Sequence, residues 1–187
     1  MARIPYPDPK SLPDADREFL ESLPQLNISR MLAGSPSMFK PLTCLFNAYL
    51  NDGVLDKELR EIIILRVGNQ RNSAYEVDNH RRAARIIGMS QDCIDALAPG
   101  NDLAVFTDEE RLVIQFVDEV LQDGGASKST FDAVSGFMNT AELLELTVII
   151  GVYTMVSQIC ATFEIESETT PIADTGIEDI ARAVSKL

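Results

Sequence analysis

Histidine and cysteine are scarce in this chain of 187 residues, which has one histidine, His80, and three cysteines. A single histidine excludes a metal site built from several imidazoles, and we predict no metal ligands. Cys44, Cys93 and Cys160 lie far apart, and no two of them form a Cys-x-x-Cys pair. Such an odd, sparse set is unlike the disulfide framework of a small secreted protein. We therefore expect reduced thiols and a cytoplasmic location.

Positive charge is also scarce, because 16 Lys and Arg residues stand against 29 Asp and Glu residues, giving a net charge of −13. An acidic surface repels phosphate backbones and anionic lipids, so we predict that neither nucleic acid nor a membrane is a partner. Residues 146–163 contain no charged side chain and approach the length of a membrane span. Polar residues interrupt this segment and acidic residues flank it, so we interpret it as a central helix, buried on most sides.

Strand signals are absent as well, since no run of alternating β-branched residues is flanked by hairpin turns. Almost every segment has helical periodicity, and the predicted fold class is all-α. Caps and breakers place the helices at residues 13–22, 27–34, 36–51, 56–71, 73–88, 90–97, 107–124, 127–137, 140–163 and from about 174 onward. "ELREIIIL" (58–65) is similar to "ELLELTVI" (142–149), which indicates either an internal duplication or a chance match.

The segment "NSAYEVDNH" (72–80) has two interpretations. Ser73 and Glu76 have the spacing of a capping box, in which each side chain bonds to the other residue's backbone N–H. His80 would then be an ordinary helix residue on a solvated face. Alternatively, Glu76 and His80 share a helix face four residues apart, where a carboxylate orients an imidazole and raises its pKa.

Glu61 adds a second carboxylate to this region. Its neighbours at helical spacing are apolar, so we expect a raised pKa and a group that can hold a proton. The polar break at 69–72 would let the helix that bears His80 fold back toward Glu61. The competing interpretation of Glu61 is a partly exposed ion pair with Arg60 or Lys57, or a pair with a partner subunit.

The stretch "ELREIIILRVGNQRNSAYEVDNHRRAARIIGMSQDCIDAL" resembles the core motif of the carboxymuconolactone decarboxylase family, which also contains alkylhydroperoxidase D. The resemblance covers roughly residues 27–166. It implies an alkylhydroperoxidase D-like helical bundle that assembles into homo-oligomers, from dimer to hexamer, with a pocket near the His-bearing helix. The implied organisation is a proline-rich arm with a short helix (1–26), the family's helical domain (27–166) and a C-terminal helix (167–187).

The chain departs from the family's peroxidase branch, in which a Glu is followed by Cys-x-x-Cys-x-x-x-His. Glu61 and His80 match the Glu and His of that pattern, but Ser73 and Glu76 occupy the two cysteine positions. A hydroxyl and a carboxylate cannot run a dithiol–disulfide cycle. A thiol-dependent alkyl hydroperoxidase is therefore disfavoured.

The decarboxylase branch implies proton transfer without a metal or an organic cofactor. By this resemblance the chain is a lyase acting on a small carboxylated lactone or cyclic carbonyl compound, with catalytic residues His80, Glu76 and Glu61. Substrate-binding candidates are Ser73, Tyr75, Arg81 and Tyr153. Arg66 is either a partner of the departing carboxylate or, as we prefer, a structural ion-pair residue. The alternative is a non-catalytic oligomeric binding or scaffold protein of the same fold.

Overall fold

The computed structural model describes residues 2–169 and 176–187, and within these ranges it contains helices and no strand. The predicted all-α class is confirmed. Most predicted helices are present with ends shifted by one to three residues. The predicted start of the last helix at Asp174 lies outside the described residues. After a 3-10 turn at Pro9–Ser11, the helices are α1 Asp14–Ser22, α2 Asn27–Leu32, α3 Pro36–Asn51, α4 Lys57–Gln70, α5 Ala74–Ile87, α6 Gln91–Ala96, α7 Asp108–Asp123, α8 Lys128–Val134, α9 Thr140–Phe163 and α10 Ile177–Val184.

The chain divides into two compact units, residues 1–53 with 160–187 and residues 54–159. In the first unit, α10 packs against α3 and α1. The proline-rich arm lies along this same unit, because the Arg3 N–H donates to the Phe163 carbonyl and the Arg3 guanidinium pairs with Glu164. The predicted domain boundaries at 26/27 and 166/167 remain a prediction.

Helix α4 is the central helix of the second unit. It begins at the cap Asp56, whose carboxylate accepts from the N–H groups of Glu58 and Leu59. Every residue from Arg60 to Gly68 is buried, and α4 packs against both α5 and α7. A helix that is apolar on several sides is stable only when it is enclosed, so α4 fixes the positions of its neighbours.

The expectation that α9 is buried on most sides is wrong. Only 44% of its most apolar window is buried, and Leu144, Val148 and Gly151 lie on an exposed stripe at helical spacing. By length and mean hydropathy α9 is the one helix of the described chain that could cross a membrane, although helices from the cores of soluble proteins meet the same criterion. The absence of a membrane partner stays a prediction.

The turn between α4 and α5 lets the two helices lie side by side. Asn72 adopts a left-handed conformation with φ 53°, and the Ser73 N–H donates to the Gly68 carbonyl at 2.9 Å. If the similarity between 58–65 and 142–149 is carried forward at the same offset, this turn corresponds to residues inside α9. The helix is unbroken there. Any duplication therefore does not extend to the α4–α5 turn.

Glu119 joins α7 to α8 through several hydrogen bonds. Its carboxylate accepts from Gln115, from the Thr130 hydroxyl and from the Ser127 N–H. The hydrogen bonds from Gln115, Thr130 and Ser127 lower the pKa of Glu119 to about 2, because they favour the charged form.

We expect Glu119→Gln to destabilise the protein at pH 7 and to have a smaller effect at pH 3. A lowered pKa in the folded state gives stability that is present above the unfolded-state value of 4.5 and lost as the pH falls toward 2. Urea unfolding at both pH values measures this, with the exposed Glu18→Gln as a control. An equal effect of Glu119→Gln at both pH values would contradict the role of the charge.

Candidate active site

A partly buried hydrogen bond joins the only histidine of the chain to Glu61. The Nδ1 atom of His80, on α5, lies 2.7 Å from Oε2 of Glu61, on α4. The side chain of Glu61 is 2% exposed and that of His80 is 15% exposed. This distance is short, as expected when one or both partners carry charge. The fold-back at residues 71–73 therefore brings together two groups that are 19 residues apart.

Glu76 faces the other nitrogen of the ring. Its Oε2 atom is 3.7 Å from Nε2 of His80, within ion-pair range but beyond a direct hydrogen bond. The capping-box interpretation of Ser73 and Glu76 is wrong, because the Ser73 side chain makes no cap hydrogen bond and its N–H donates to Gly68. The tight turn supplies a backbone acceptor for the Ser73 N–H, and the Glu76 carboxylate lies beside His80 instead.

Arg60 and Tyr153 complete the surroundings of the pair. The Nε atom of Arg60 lies 3.9 Å from Oε1 of Glu61, and its side chain is 4% exposed. The ring of Tyr153, on α9, meets the imidazole edge-on, with centroids 4.9 Å apart and planes at 87°. Glu61 therefore bonds to His80, and its ion pair with Arg60 is buried and not partly exposed as the competing interpretation had it.

The pKa of His80 is raised above its ordinary value of 6.5. Burial lowers it, but the charge and hydrogen bond of Glu61 and the charge of Glu76 together outweigh burial and the opposing charge of Arg60. The two carboxylates thus favour the positive imidazolium over the neutral ring. With Nδ1–H directed at Glu61, the Nε2–H group is the one placed to give a proton to a ligand.

Two arginines considered from the sequence are held by other carboxylates. The guanidinium of Arg66 binds Asp118 through two hydrogen bonds of 2.7 and 2.6 Å and also donates to the Leu97 carbonyl. This arrangement supports its structural interpretation. Arg81 lies 3.3 Å from Asp95. A substrate carboxylate would have to compete with that partner.

The remaining candidates differ in position. Ser73 is buried at the start of α5, and its hydroxyl has no hydrogen-bond partner within the described chain. Tyr75 is also buried, but five residues before His80 it lies on another face of α5.

Sequence reasoning missed Ser157 as a site candidate, although it aligns with Ser73 in the similarity between the two halves. Ser157 is 1% exposed, and its hydroxyl likewise lacks a partner among residues 2–169 and 176–187.

A separate cavity of about 270 Å³ lies in the second unit near the starts of α4 and α7. Carboxylates line it, but several of them cap helices: Asp56 caps α4, and Glu110 forms a capping box with Thr107. Across the described ranges, no group of three or more His, Cys, Asp or Glu side chains is placed to hold a metal ion. The prediction that no metal is needed stays a prediction.

Comparisons with known proteins give a family model that matches part of the chain and solved structures that share its fold. The model of the carboxymuconolactone decarboxylase family matches residues 36–119. No curated protein matches the chain. A structure of an alkylhydroperoxidase AhpD core, an uncharacterized peroxidase-related protein from Ralstonia eutropha JMP134, is similar with a TM-score of 0.79 at 20% identity, covering 90% of this chain and 93% of that one.

Two further structures have the same fold. An uncharacterized peroxidase-related protein from Silicibacter sp. TM1040 has a TM-score of 0.79 at 15% identity, with 92% of this chain and 94% of that chain covered. A protein of unknown function from Agrobacterium tumefaciens, a putative antioxidant defence protein AhpD, has a TM-score of 0.67 at 24% identity, with 73% and 94% covered. At these identities the likeness establishes the fold, and the chemistry must come from the site.

We expect Glu61→Gln to lower the pKa of His80 because it removes the charge that stabilises the imidazolium. Since the chain has one histidine, a proton NMR titration follows this ring without overlap from others. The wild-type ring should titrate above 6.5, and Glu76→Gln should lower its pKa by less than Glu61→Gln does. A wild-type value below 6.5 would contradict the charge arrangement.

The raised pKa of His80 also makes the stability of the protein depend on pH. A raised pKa in the folded state stabilises the protein fully below the unfolded-state value near 6.5, and this contribution is lost as the pH rises through the folded-state pKa. The free energy of unfolding of Glu61→Gln should therefore approach that of the wild type above that pKa. Urea unfolding at pH 6 and pH 9 measures the change, and a constant difference would contradict it.

Proposed function

We propose that the chain, whose residues 36–119 match the model of the carboxymuconolactone decarboxylase family, is a cofactor-independent acid–base enzyme of that family. Its reaction moves a proton at a carbon next to a carbonyl group, in a small carboxylated lactone or a cyclic carbonyl compound. The observation that supports this proposal is the hydrogen bond of 2.7 Å between the buried Glu61 and the partly buried His80, with Glu76 on the opposite side of the ring. General acid–base catalysis needs such a positioned group with a pKa near the working pH.

Each charged residue has a separate role in the proposed reaction. Glu61 positions the ring and stabilises the imidazolium through Nδ1–H. His80 donates the proton of Nε2. Glu76 lies beside that proton and accepts one from the substrate when the reaction begins at a C–H bond. Tyr153 forms an apolar wall against the ring, and the Ser73 hydroxyl stabilises negative charge that develops on the carbonyl oxygen.

With a carboxylated substrate, the bond between carbon and the carboxylate breaks and CO₂ leaves. The electron pair stays on the carbon as an enolate, and the Nε2 proton of His80 then bonds to that carbon. With a cyclic carbonyl compound, Glu76 takes the proton of the C–H bond while Nε2–H protonates the carbonyl oxygen, which gives the enol. Neither route uses an oxidant or a thiol.

A thiol-dependent hydroperoxidase is not supported by this site. Ser73 and Glu76 stand where the peroxidase pattern has its two cysteines, and no thiol lies between Glu61 and His80 in the sequence. The chemistry of peroxide reduction needs a thiolate that attacks the peroxide and a second thiol that resolves it. Cys44, Cys93 and Cys160 lie outside the motif.

One observation favours the second candidate, a non-catalytic oligomeric binding or scaffold protein. The exposed stripe on α9 is uncharged in a strongly acidic chain, and Leu144 and Val148 on it are 62% and 45% exposed. Exposed apolar patches commonly form interfaces. We propose a homo-oligomer, from dimer to hexamer, as the assembly for either function.

We expect His80→Gln and Glu61→Gln each to reduce turnover by about 100-fold or more, as is usual when a general acid or its positioning partner is removed. Candidate lactone acids and cyclic ketones incubated in D₂O are followed by NMR for CO₂ release and for deuterium at the reacting carbon. The matched control replaces Cys44, Cys93 and Cys160 by serine and should retain full activity. Far-UV circular dichroism verifies that the variants are folded.

Two results would refute this proposal. Full turnover by His80→Gln would remove the imidazole from the chemistry, and loss of turnover in the triple cysteine variant would return the protein to thiol chemistry. If the wild-type protein neither releases CO₂ nor exchanges protons on any compound of either class, the scaffold candidate is favoured.

A further inference from the structure

Two buried serine hydroxyls in the second unit are left without partners. Ser73 is 3% exposed and Ser157 is 1% exposed, and within the described chain neither hydroxyl forms a hydrogen bond. Buried polar groups are otherwise satisfied in nearly all folded proteins, because an unpaired one loses its hydration without compensation. Each such exception needs an explanation, and a ligand that accepts these hydrogen bonds is one.

Other hydroxyls on long helices of this protein are satisfied locally. Thr147, on the same helix as Ser157, donates to the Leu143 carbonyl at 2.9 Å, and Thr43 on α3 donates to Phe39 at 2.9 Å. This bond to the carbonyl four residues earlier is the usual solution for a hydroxyl inside a helix. Ser157 does not use it, so its hydroxyl is available to a group from outside its own helix.

The directions of three helices place Ser157 near Glu76. Glu145 on α9 binds the N–H groups of Val54 and Leu55 just before α4, and Tyr153 meets His80, which contacts Glu61 on α4. Helix α9 therefore runs in the same direction as α4. Ser157 lies one turn, about 6 Å, beyond Tyr153 on the same face.

Helix α5 runs in the opposite direction. Glu61 lies beside His80, whereas a Cβ built at Gly68 would lie 3.5 Å from Cβ of Glu76. Helices α9 and α5 therefore run in opposite directions. Ser157, which follows Tyr153 on α9, accordingly lies level with residues that precede His80 on α5, toward Glu76 and Ser73. Ser73, Glu76 and His80 follow one another on one face of α5 at spacings of three and four. The two hydroxyls therefore flank Glu76 on the Nε2 side of His80.

The charges around His80 decide what kind of ligand fits there. Glu61 and Glu76 are balanced by the imidazolium of His80 and the guanidinium of Arg60, so these four groups together have no net charge. Arg66 and Arg81 are paired with Asp118 and Asp95. A ligand carboxylate would add a third negative charge beside Glu61 and Glu76, whereas an uncharged carbonyl oxygen would leave this balance unchanged.

We infer that the Nε2 side of His80 is a binding site for a small uncharged carbonyl compound, whose oxygen accepts hydrogen bonds from Ser73 and Ser157. This inference rests on the proposed function and chooses between its two substrate classes. It assigns Ser157 as a binding residue. It also favours proton exchange at a cyclic ketone over loss of CO₂ from a carboxylated compound.

The test measures binding without turnover. Cyclopentanone is the uncharged probe and 3-oxocyclopentane-1-carboxylate is its charged analogue, each titrated into the full-length protein at pH 7 and followed by ligand-observed NMR. We expect cyclopentanone to bind at least about tenfold more tightly than the carboxylate. The Ser73→Ala, Ser157→Ala double variant should weaken binding of cyclopentanone by about tenfold or more, in line with the loss of two hydrogen bonds.

Two controls separate binding from folding. Ser135→Ala removes an exposed hydroxyl that donates to the Asp132 carbonyl and should leave binding unchanged. The double serine variant should melt at the same temperature as the wild type or higher, because it removes two unpaired buried groups. A lower melting temperature with unchanged binding would show that the hydroxyls are structural and would overturn the inference.

The failure of this inference is distinguishable from failure of the proposed function. His80→Gln should still bind cyclopentanone through the two serines while it loses proton exchange. Tighter binding of the carboxylated analogue, or equal binding by the double serine variant, overturns the inference even if proton exchange depends on His80. Serine-dependent binding in a protein that exchanges no protons supports the inference and contradicts the proposed function alone.

Discussion

The hydrogen bond between Glu61 and His80 is the interaction on which the rest of the site depends. It places a carboxylate that is 2% exposed in the most enclosed helix of the second unit, where an unpaired charge would be strongly unfavourable. The imidazolium compensates that charge and is itself stabilised by it. The pair also joins α4 to α5 about two helical turns away from the Gly68–Ser73 backbone bond, so the two helices are held together both at their turn and at the site.

The buried charges of α4 have two separate purposes. Arg66 binds Asp118 and the Leu97 carbonyl, which attaches α4 to α7 and to the segment after α6. This network is complete within the protein, and a ligand has no evident place in it. The cluster of Glu61, Glu76, Arg60 and His80 is different, because the buried Ser73 hydroxyl on the same face of α5 has no hydrogen-bond partner within the described part of the chain. A buried polar group without a partner beside a charged ring is a feature that a bound ligand would explain.

Local signals were sufficient for much of the fold. Asp56, Ser90 and Thr107 cap their helices as the sequence predicts, because a cap is decided within four residues. The capping box at Ser73 failed for the opposite reason: the backbone of Gly68, across the turn, binds the N–H that Glu76 would have accepted. Periodicity placed Glu76 and His80 on one face but could not show which carboxylate meets the ring. The exposed stripe of α9 and the position of Ser157 both depend on which neighbours cover each face, and that information is tertiary.

The most direct test of this account is the coupling free energy between Glu61 and His80. Urea unfolding at pH 6 of the wild type, Glu61→Gln, His80→Gln and the double variant gives it as a double-mutant cycle. We predict a coupling of about 1.5–3 kcal/mol, the range for a hydrogen bond to a charged group in a buried setting. Additive effects of the two substitutions, with a coupling below about 0.5 kcal/mol, would contradict the charged, buried pair from which the site and its proposed chemistry follow.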